Sequence, residues 1–208
     1  MKYVSIDIET TGTNPETCQV LEVGAVVEDT QSLLPVADLP RFECIVAHPE
    51  YTGSAFALTL NERILRILST LESITKKEDR EMYRESYNIL GPGQVAGEFR
   101  KFLDANYTTA ADRNPSGSVT ITVAGKNFSR FDWEFLVRLP GWTNQINFSR
   151  RVIDPGILFT DWKNDHRLPG LGDCLVRAGL NKEVSHRAVE DAMDVVELLR
   201  VATGNYTK

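Results

Sequence analysis

The sequence predicts an α/β protein in which a mixed sheet carries helices on both of its faces. Three strand-like segments rich in apolar and β-branched residues follow one another between residues 2 and 49. After them, segments with helical periodicity alternate with further strand-like segments. This order is typical of a sheet that is covered by helices on both sides.

The composition is that of a globular protein. The chain has 208 residues, of which 42% are hydrophobic and 25% are charged, and this predicts one domain over residues 1–208. A net charge of −6 argues against a protein that coats nucleic acid by bulk electrostatics, although an enzyme acting on nucleic acid remains compatible with it. Three cysteines without a Cys-x-x-Cys spacing support neither a zinc site nor a disulfide framework, so we expect a reducing, cytoplasmic location. No apolar run is long enough to span a membrane.

The first strand, KYVSIDIE at residues 2–9, places Asp7 and Glu9 on the same face because side chains alternate along a strand. Their Cα atoms would lie roughly 6.6 Å apart. Two carboxylates held so close raise each other's pKa unless a cation neutralises them, and a hard divalent metal suits an all-oxygen site. The alternative is an edge strand whose two acids face water. The turn Thr10–Gly12 follows, and its glycine permits unusual backbone angles.

The next elements complete the first half of the predicted fold. Strands at residues 19–29 and 41–49 would form an antiparallel meander with the first one. A loop, a helix, a charged segment of solvated helix or loop, a second helix and a linker then follow, at residues 50–57, 60–71, 72–93, 95–106 and 107–118. Asn61 could cap the first of these helices. The charged segment at about 72–93 is interpreted as an insertion into the domain.

The second half of the chain contains two further strands and three helices. We expect strands at residues 118–125 and from 151 to Pro155, and helices at residues 132–139, after Pro169 and at 185–204. The helix after Pro169 would pack through Leu171, Leu175 and Val176.

Three polar residues in this half could join Asp7 and Glu9. Asp132 follows a strand and opens a helix, where its alternative role is an N-cap. Asp191 lies in the last helix, where it could also be a solvated residue. His186 would point about 140° away from Asp191 on one continuous helix, so the two can serve one site only if His186 lies in the loop before it. Otherwise His186 is an exposed loop residue.

Taken together, these residues form a pattern that resembles a known family. DIETTG at Asp7–Gly12, NFSRFD at Asn127–Asp132 and HRAVED at His186–Asp191 match, in order, the three motifs of the DEDD-type 3′–5′ exonucleases of the histidine variant. Ribonuclease T, oligoribonuclease and the bacterial proofreading subunit belong to this group. The resemblance spans almost the whole chain.

The resemblance implies a ribonuclease H-like fold with a five-stranded mixed sheet and a two-metal hydrolase. Two divalent ions, Mg²⁺ or Mn²⁺, would be held by four carboxylates, those of Asp7, Glu9, Asp132 and Asp191. His186 would be the general base, since an imidazole accepts a proton near neutral pH. The substrate-binding residues would be Thr10, Thr11, Gly12, Asn127 and Phe128. The implied partner is a single-stranded nucleic acid with a free 3′ end, degraded to nucleoside 5′-monophosphates.

Several alternatives stay open at the level of sequence. Phe128 could stack on a base or pack in the core, and the two are about equally supported. The chain could be a nucleic-acid-binding module with an inactive exonuclease fold, or a phosphodiesterase acting on short or small nucleotides. Preference for DNA or RNA, oligomeric state and association with a polymerase are not encoded in any motif of the sequence.

Overall fold

The computed structural model describes residues 1–109, 112, 114–180 and 184–205. Part of the predicted linker at 107–118 therefore lies outside the described residues. The strands are β1 Lys2–Thr10, β2 Val20–Asp29, β3 Arg41–Val46, β4 Ile89–Leu90, β5 Val119–Ile121, β6 Val123–Ala124 and β7 Ile146–Phe148. The helices are α1 Ala55–Leu60, α2 Glu62–Ser73, α3 Lys77–Ser86, α4 Pro92–Asn106, α5 Asp132–Leu136, α6 Trp142–Gln145, α7 Pro155–Leu158, α8 Leu171–Arg177 and α9 Ala188–Ala202.

The main sheet has five strands in the order β4-β3-β2-β1-β6. The pairs β1–β2 and β2–β3 are antiparallel, which confirms the predicted meander, whereas β6 and β4 join its two sides as parallel strands. Because β1 lies between β2 and β6, it is an inner strand. The alternative in which Asp7 and Glu9 belong to an edge strand is therefore excluded.

Helices cover both faces of this sheet, as the sequence predicts. On one face, the alternating residues Val4, Ile6 and Ile8 of β1 pack in a core that includes residues of α4, α5 and α6. On the other face, Tyr3 of β1 packs against apolar residues of α9. The side of β1 that carries Asp7 and Glu9 is therefore the side that faces α9.

The predicted strand at 118–125 is divided in two by Thr122. Its first part, β5, leaves the main sheet and pairs in parallel with β7, while its second part, β6, pairs with β1. The strand predicted from residue 151 is wrong, because only a single bridge joins Ile153 to Ala124. The sequence prediction missed β7, since three residues are too few to give a periodic signal.

The helices differ from the predictions in three places. Residues 55–60, of which 55–57 belong to the predicted loop, form α1, which begins where the Ser54 hydroxyl accepts a hydrogen bond from Ala57 N at 3.2 Å. The charged 72–93 segment forms α3, which has no buried residue as expected, but also the edge strand β4. In α8, Cys174 and Leu175 are buried whereas Val176 is 71% exposed, so Val176 does not pack as predicted.

Two further observations concern the cysteines and the length of the helices. Cys18, Cys44 and Cys174 are free thiols. None of the helices in the described ranges combines the length and the apolar character that crossing a bilayer requires.

Candidate active site

The carboxyl end of β1 supplies the first two acidic side chains of the site. Asp7 is paired with Gly24, and Glu9 with Glu22, in the antiparallel register with β2. The register shifts between Glu9 and Thr10, so β2 has one extra residue there. Such a bulge bends a strand and redirects its side chains, and bulges are common next to active sites.

The first turn of α9 supplies Asp191, and the loop before this helix supplies His186. His186 lies in this loop, as one shared site requires, and has a left-handed φ of 53°. The loop is tied to the helix because the Ser185 hydroxyl donates a hydrogen bond to Asp191 Oδ1 at 3.1 Å. Potential ligand atoms of Glu9, His186 and Asp191 consequently all lie within 4.8 Å of one another.

Asp132 reaches the site from α5, on the other side of β1. It is the first residue of the helix, and no side-chain cap bond is formed there, so the N-cap alternative is wrong. Instead its Oδ1 accepts a buried hydrogen bond from Ile8 N at 3.1 Å. The bond fixes this carboxylate between the two acidic residues of β1.

The four carboxylates repel one another in the absence of a cation. Burial raises the pKa of Asp7 well above its ordinary range, and the charges of Asp132, Asp191 and Glu9 raise it further. Burial, followed by the charge of Asp191, raises the pKa of Glu9 to about 7. Burial also raises the pKa values of Asp132 and Asp191, the latter to about 6. Each of these shifts arises because the charged form is desolvated and close to like charges.

A divalent cation fits this arrangement. Carboxylate oxygens are the donors that Mg²⁺ and Mn²⁺ prefer, and a positive charge would reverse the unfavourable shifts of the pKa values. Glu9, His186 and Asp191 have the donor spacing for one ion. Asp7 lies two residues before Glu9 on the same face of β1, and the charges of Asp132, Asp191 and Glu9 all raise its pKa.

Glu22 on β2 is a residue of the site that the sequence analysis missed. Its side chain is fully buried, and Oε2 accepts a hydrogen bond from Ala188 N, the first residue of α9, at 3.0 Å. Its Oε1 accepts from Arg63 Nη2 at 2.6 Å. Next to it, a Cβ on Gly24 would lie 2.1 Å from the backbone of Ala188, so glycine is needed for the helix to approach. Glu22 and Gly24 together set the position of the helix that carries Asp191.

The turn after β1 is closed by residues that follow β3. Thr11 is buried, and its hydroxyl donates to Thr52 O at 2.6 Å. A Cβ on Gly12 would lie 2.7 Å from Cys18 Sγ, so the Cys18 side chain would have to move to make room for it, and the φ of Gly12 is not in the left-handed region. Thr10 is held from outside the strand, because the Asn61 side chain donates to Thr10 O at 3.2 Å.

Asn61 therefore does not act as the predicted cap. It forms no side-chain cap bond at the start of α2. Instead, a hydrogen bond from its side chain lowers the pKa of Glu9, against the larger effects of burial and of neighbouring acids.

The remaining two predicted substrate-binding residues are Phe128 and Asn127, and their environments differ. Phe128 is fully buried and packs edge-to-face on Phe148 at a centroid distance of 5.0 Å. This is the core-packing alternative, and it leaves no exposed ring face for a base. Asn127 is exposed with a left-handed φ of 59°, and its backbone N–H donates to Asp154 Oδ2 at 3.0 Å.

The fold is the ribonuclease H-like α/β fold with a five-stranded mixed sheet, as the sequence resemblance implies. Among solved structures, the chain is similar to Exonuclease I from Methylocaldum szegediense, with a TM-score of 0.57 and 15% identity over 98% of this chain and 40% of that one. It is also similar to E. coli Exonuclease I in complex with a dT13 oligonucleotide, with a TM-score of 0.59 and 15% identity over 98% of this chain and 41% of that one. The chain thus spans about two fifths of the length of these proteins. No protein-family model and no curated protein sequence matches the chain.

Proposed function

We propose that the protein is a metal-dependent 3′–5′ exonuclease that hydrolyses single-stranded nucleic acid to nucleoside 5′-monophosphates. The observation that carries this proposal is the convergence of Glu9, His186 and Asp191 within 4.8 Å of one another, beside the half-buried side chain of Asp7 and the buried carboxylate of Asp132. These residues come from β1, from α5, and from α9 and the loop before it. The likeness of the fold to Exonuclease I supports the same class of reaction.

Each side chain has a distinct task in the proposed mechanism. Asp7, Glu9, Asp132 and Asp191 would hold two divalent ions, which supply charge stabilisation for the attacking and leaving oxygens of an in-line displacement. His186 would accept the proton of the attacking water, because it is exposed and adjacent to Glu9 and Asp191. Ser185 holds Asp191 in place for this geometry through two hydrogen bonds.

The closed turn after β1 supports attack at a chain end. Ser54 N donates to Thr11 O at 2.9 Å, and the Thr11 hydroxyl donates to Thr52 O. Residues 52–54 therefore pack against this turn and close one side of it. A terminal sugar fits beside Thr10 and Gly12, whereas an internal phosphodiester would need an open groove on both sides. We therefore propose that the nucleotide removed is the 3′-terminal one.

Single-stranded DNA is the first substrate to test, because a dT13 oligonucleotide is bound by the E. coli Exonuclease I that shares this fold. The experiment compares 5′-labelled DNA and RNA strands of matched sequence, with Mn²⁺, with Mg²⁺ and with EDTA. A model phosphodiester serves as the third substrate. Metal-dependent cleavage of either strand supports the proposal. No cleavage of either strand refutes it in favour of a binding module, and cleavage of the model compound alone indicates a small-molecule phosphodiesterase.

A further inference from the structure

A groove at the charged 72–93 segment is not explained by the proposed chemistry. This groove, called here the α3 groove, has a volume of about 410 Å³ and is lined by residues that include His48, Tyr51, Arg80 and Arg84. The volume is within the range of roughly 300–1,000 Å³ that is usual for ligand sites. The groove combines cationic side chains with aromatic rings, which are the two elements that bind single-stranded nucleic acid.

The two arginines lie on one face of α3, one helical turn apart. Like charges at this spacing are destabilising unless an anion lies between them. Arg80 Nε donates only to the backbone oxygen of Leu71, at 3.3 Å. Throughout the part of the chain that the structure describes, neither arginine forms an ion pair, whereas Lys77 of the same helix is paired with Glu81 at 3.7 Å. Glu72 also lines the groove, and within the described ranges it forms no ion pair with either guanidinium.

The aromatic wall of the α3 groove is held in place by hydrogen bonds. The Tyr51 hydroxyl accepts from His48 N at 3.0 Å, and the two rings meet edge-to-face at a centroid distance of 5.8 Å. The His48 ring bonds to Val20 O at 2.8 Å. Burial lowers the pKa of His48, which favours the uncharged form of this ring.

The α3 groove opens at the same edge of the sheet as the carboxylates. Because β1 and β3 are both antiparallel to β2, their carboxyl ends lie together, and His48 follows β3 as the turn Thr10–Gly12 follows β1. Val20, which bonds to His48, is the strand partner of Thr10. Two strand spacings separate β1 from β3, which corresponds to roughly 10 Å. Glu9 is level with Ile45 through Glu22, and His48 lies three residues further along the chain, which adds roughly 10 Å in the strand direction. A single strand of several nucleotides whose 3′ end lies at Asp7 and Glu9 would span the combined distance.

We propose that the α3 groove binds a backbone phosphate of the single strand, upstream of the nucleotide that is removed. Arg80 and Arg84 would bind the phosphate oxygens, and the ring of Tyr51 would contact the adjacent base. This inference rests on the proposed function and adds to it a reason for the charged 72–93 segment. It makes the enzyme favour strands long enough to span both sites.

The test measures binding in EDTA, so that no cleavage occurs. The probes are a 5′-fluorescent oligo(dT) of about 12 nucleotides and the corresponding dinucleotide, titrated at several salt concentrations. The test variant is Arg80→Gln with Arg84→Gln. The control is Lys77→Gln with Lys101→Gln, which removes the same charge from exposed lysines that are paired with Glu81 and Glu98.

We expect the arginine variant to lose about 0.7 from the slope of log affinity against log salt, because the two arginines bind one phosphate and each phosphate contact contributes about 0.7. At about 0.1 M salt this corresponds to roughly 5-fold weaker binding of the long strand. Binding of the dinucleotide should stay level, and the control variant should keep the wild-type slope. An arginine variant that binds the long strand like the control would overturn the inference.

Two further measurements separate the causes of failure. Cleavage by the wild-type protein is assayed in parallel in the presence of Mn²⁺, and a lack of cleavage refutes the proposed function. If the wild-type protein is active and the arginine variant binds the long strand unchanged, only the proposed role of the α3 groove is refuted. Competition with inorganic phosphate tests for a free anion as the ligand. Displacement of the long strand by phosphate at low millimolar concentration would assign the groove to a free phosphate and overturn the inference.

Discussion

In the absence of divalent metal, the free energy of unfolding of the protein should decrease as the pH rises from 6 to 8. The reason is that the site carboxylates have raised pKa values in the folded protein, so the folded state binds more protons than the unfolded state. For Glu9 the stabilisation is fully present below its ordinary pKa of 4.5 and is lost as the pH rises through about 7. The shifts of Asp7, Asp132 and Asp191 act in the same direction.

The magnitude follows from the shift of Glu9. A pKa that rises from 4.5 to about 7 contributes about 1.4 kcal/mol at pH 6 and less than about 0.1 kcal/mol at pH 8, so about 1.3 kcal/mol is lost. For a chain of 208 residues, about 2–4 °C of Tm corresponds to each kcal/mol, which gives a fall of about 3–5 °C from Glu9 alone. The other three acids increase this fall.

The assay is thermal unfolding in EDTA at both pH values, repeated with Mn²⁺. Asp7→Asn serves as the matched variant, because it removes one charge from the cluster and leaves every other titrating group of the chain in place. We expect a smaller pH-dependent fall in this variant, and a rise of Tm at pH 8 when Mn²⁺ is added to the wild type. A wild-type Tm that is level or increases from pH 6 to 8, or a fall equal to that of Asp7→Asn, would refute the electrostatic account.

Substitutions at three residues extend this account. Asp7→Ala should abolish cleavage in the presence of metal while the metal-free Tm stays level or rises, and an unfolded or fully active variant would contradict the assignment. His186→Ala should lower turnover by roughly 10²–10⁴-fold, the usual contribution of a general base, while the Tm increase on adding Mn²⁺ persists; an unchanged rate at pH 7 would make it only a loop residue. Glu22→Ala should lower the free energy of unfolding by about 1–3 kcal/mol in chemical denaturation, because Ala188 N–H loses its buried acceptor. Glu22→Gln retains an acceptor and should lose less; equal losses would show that the bond to Ala188 contributes nothing.

Local patterns in the sequence were sufficient for the first strand and the last helix. The alternation along β1 predicts that Asp7 and Glu9 share a face, and the structure turns that face toward α9. The angular argument for His186 requires a loop before the helix, and α9 begins two residues later, at Ala188. These predictions hold because each depends on a few neighbouring residues.

Contacts between distant parts of the chain could not be predicted in this way. Glu22 is separated from Ala188 by 166 residues, and Asn61 from Thr10 by 51, so no local pattern indicates either hydrogen bond. The strand β4 has two residues, which is too short for any periodicity. Phe128 shows a second limit of sequence patterns. The motif that contains it is compatible both with stacking on a base and with core packing, and only the tertiary contacts distinguish the two. That residues 72–93 form an insertion into a single domain stays a prediction.

The most direct test of the central claim is the direction of cleavage. A single strand labelled at its 5′ end, with either a 3′-hydroxyl or a 3′-phosphate, is incubated with Mn²⁺ beside a circular strand of the same composition. A 5′-labelled ladder that shortens from the 3′ end, is slowed by the 3′-phosphate and leaves the circle intact is the result that the account predicts. Immediate fragments of intermediate length, or equal cleavage of the circular strand, would mean an endonuclease and contradict it.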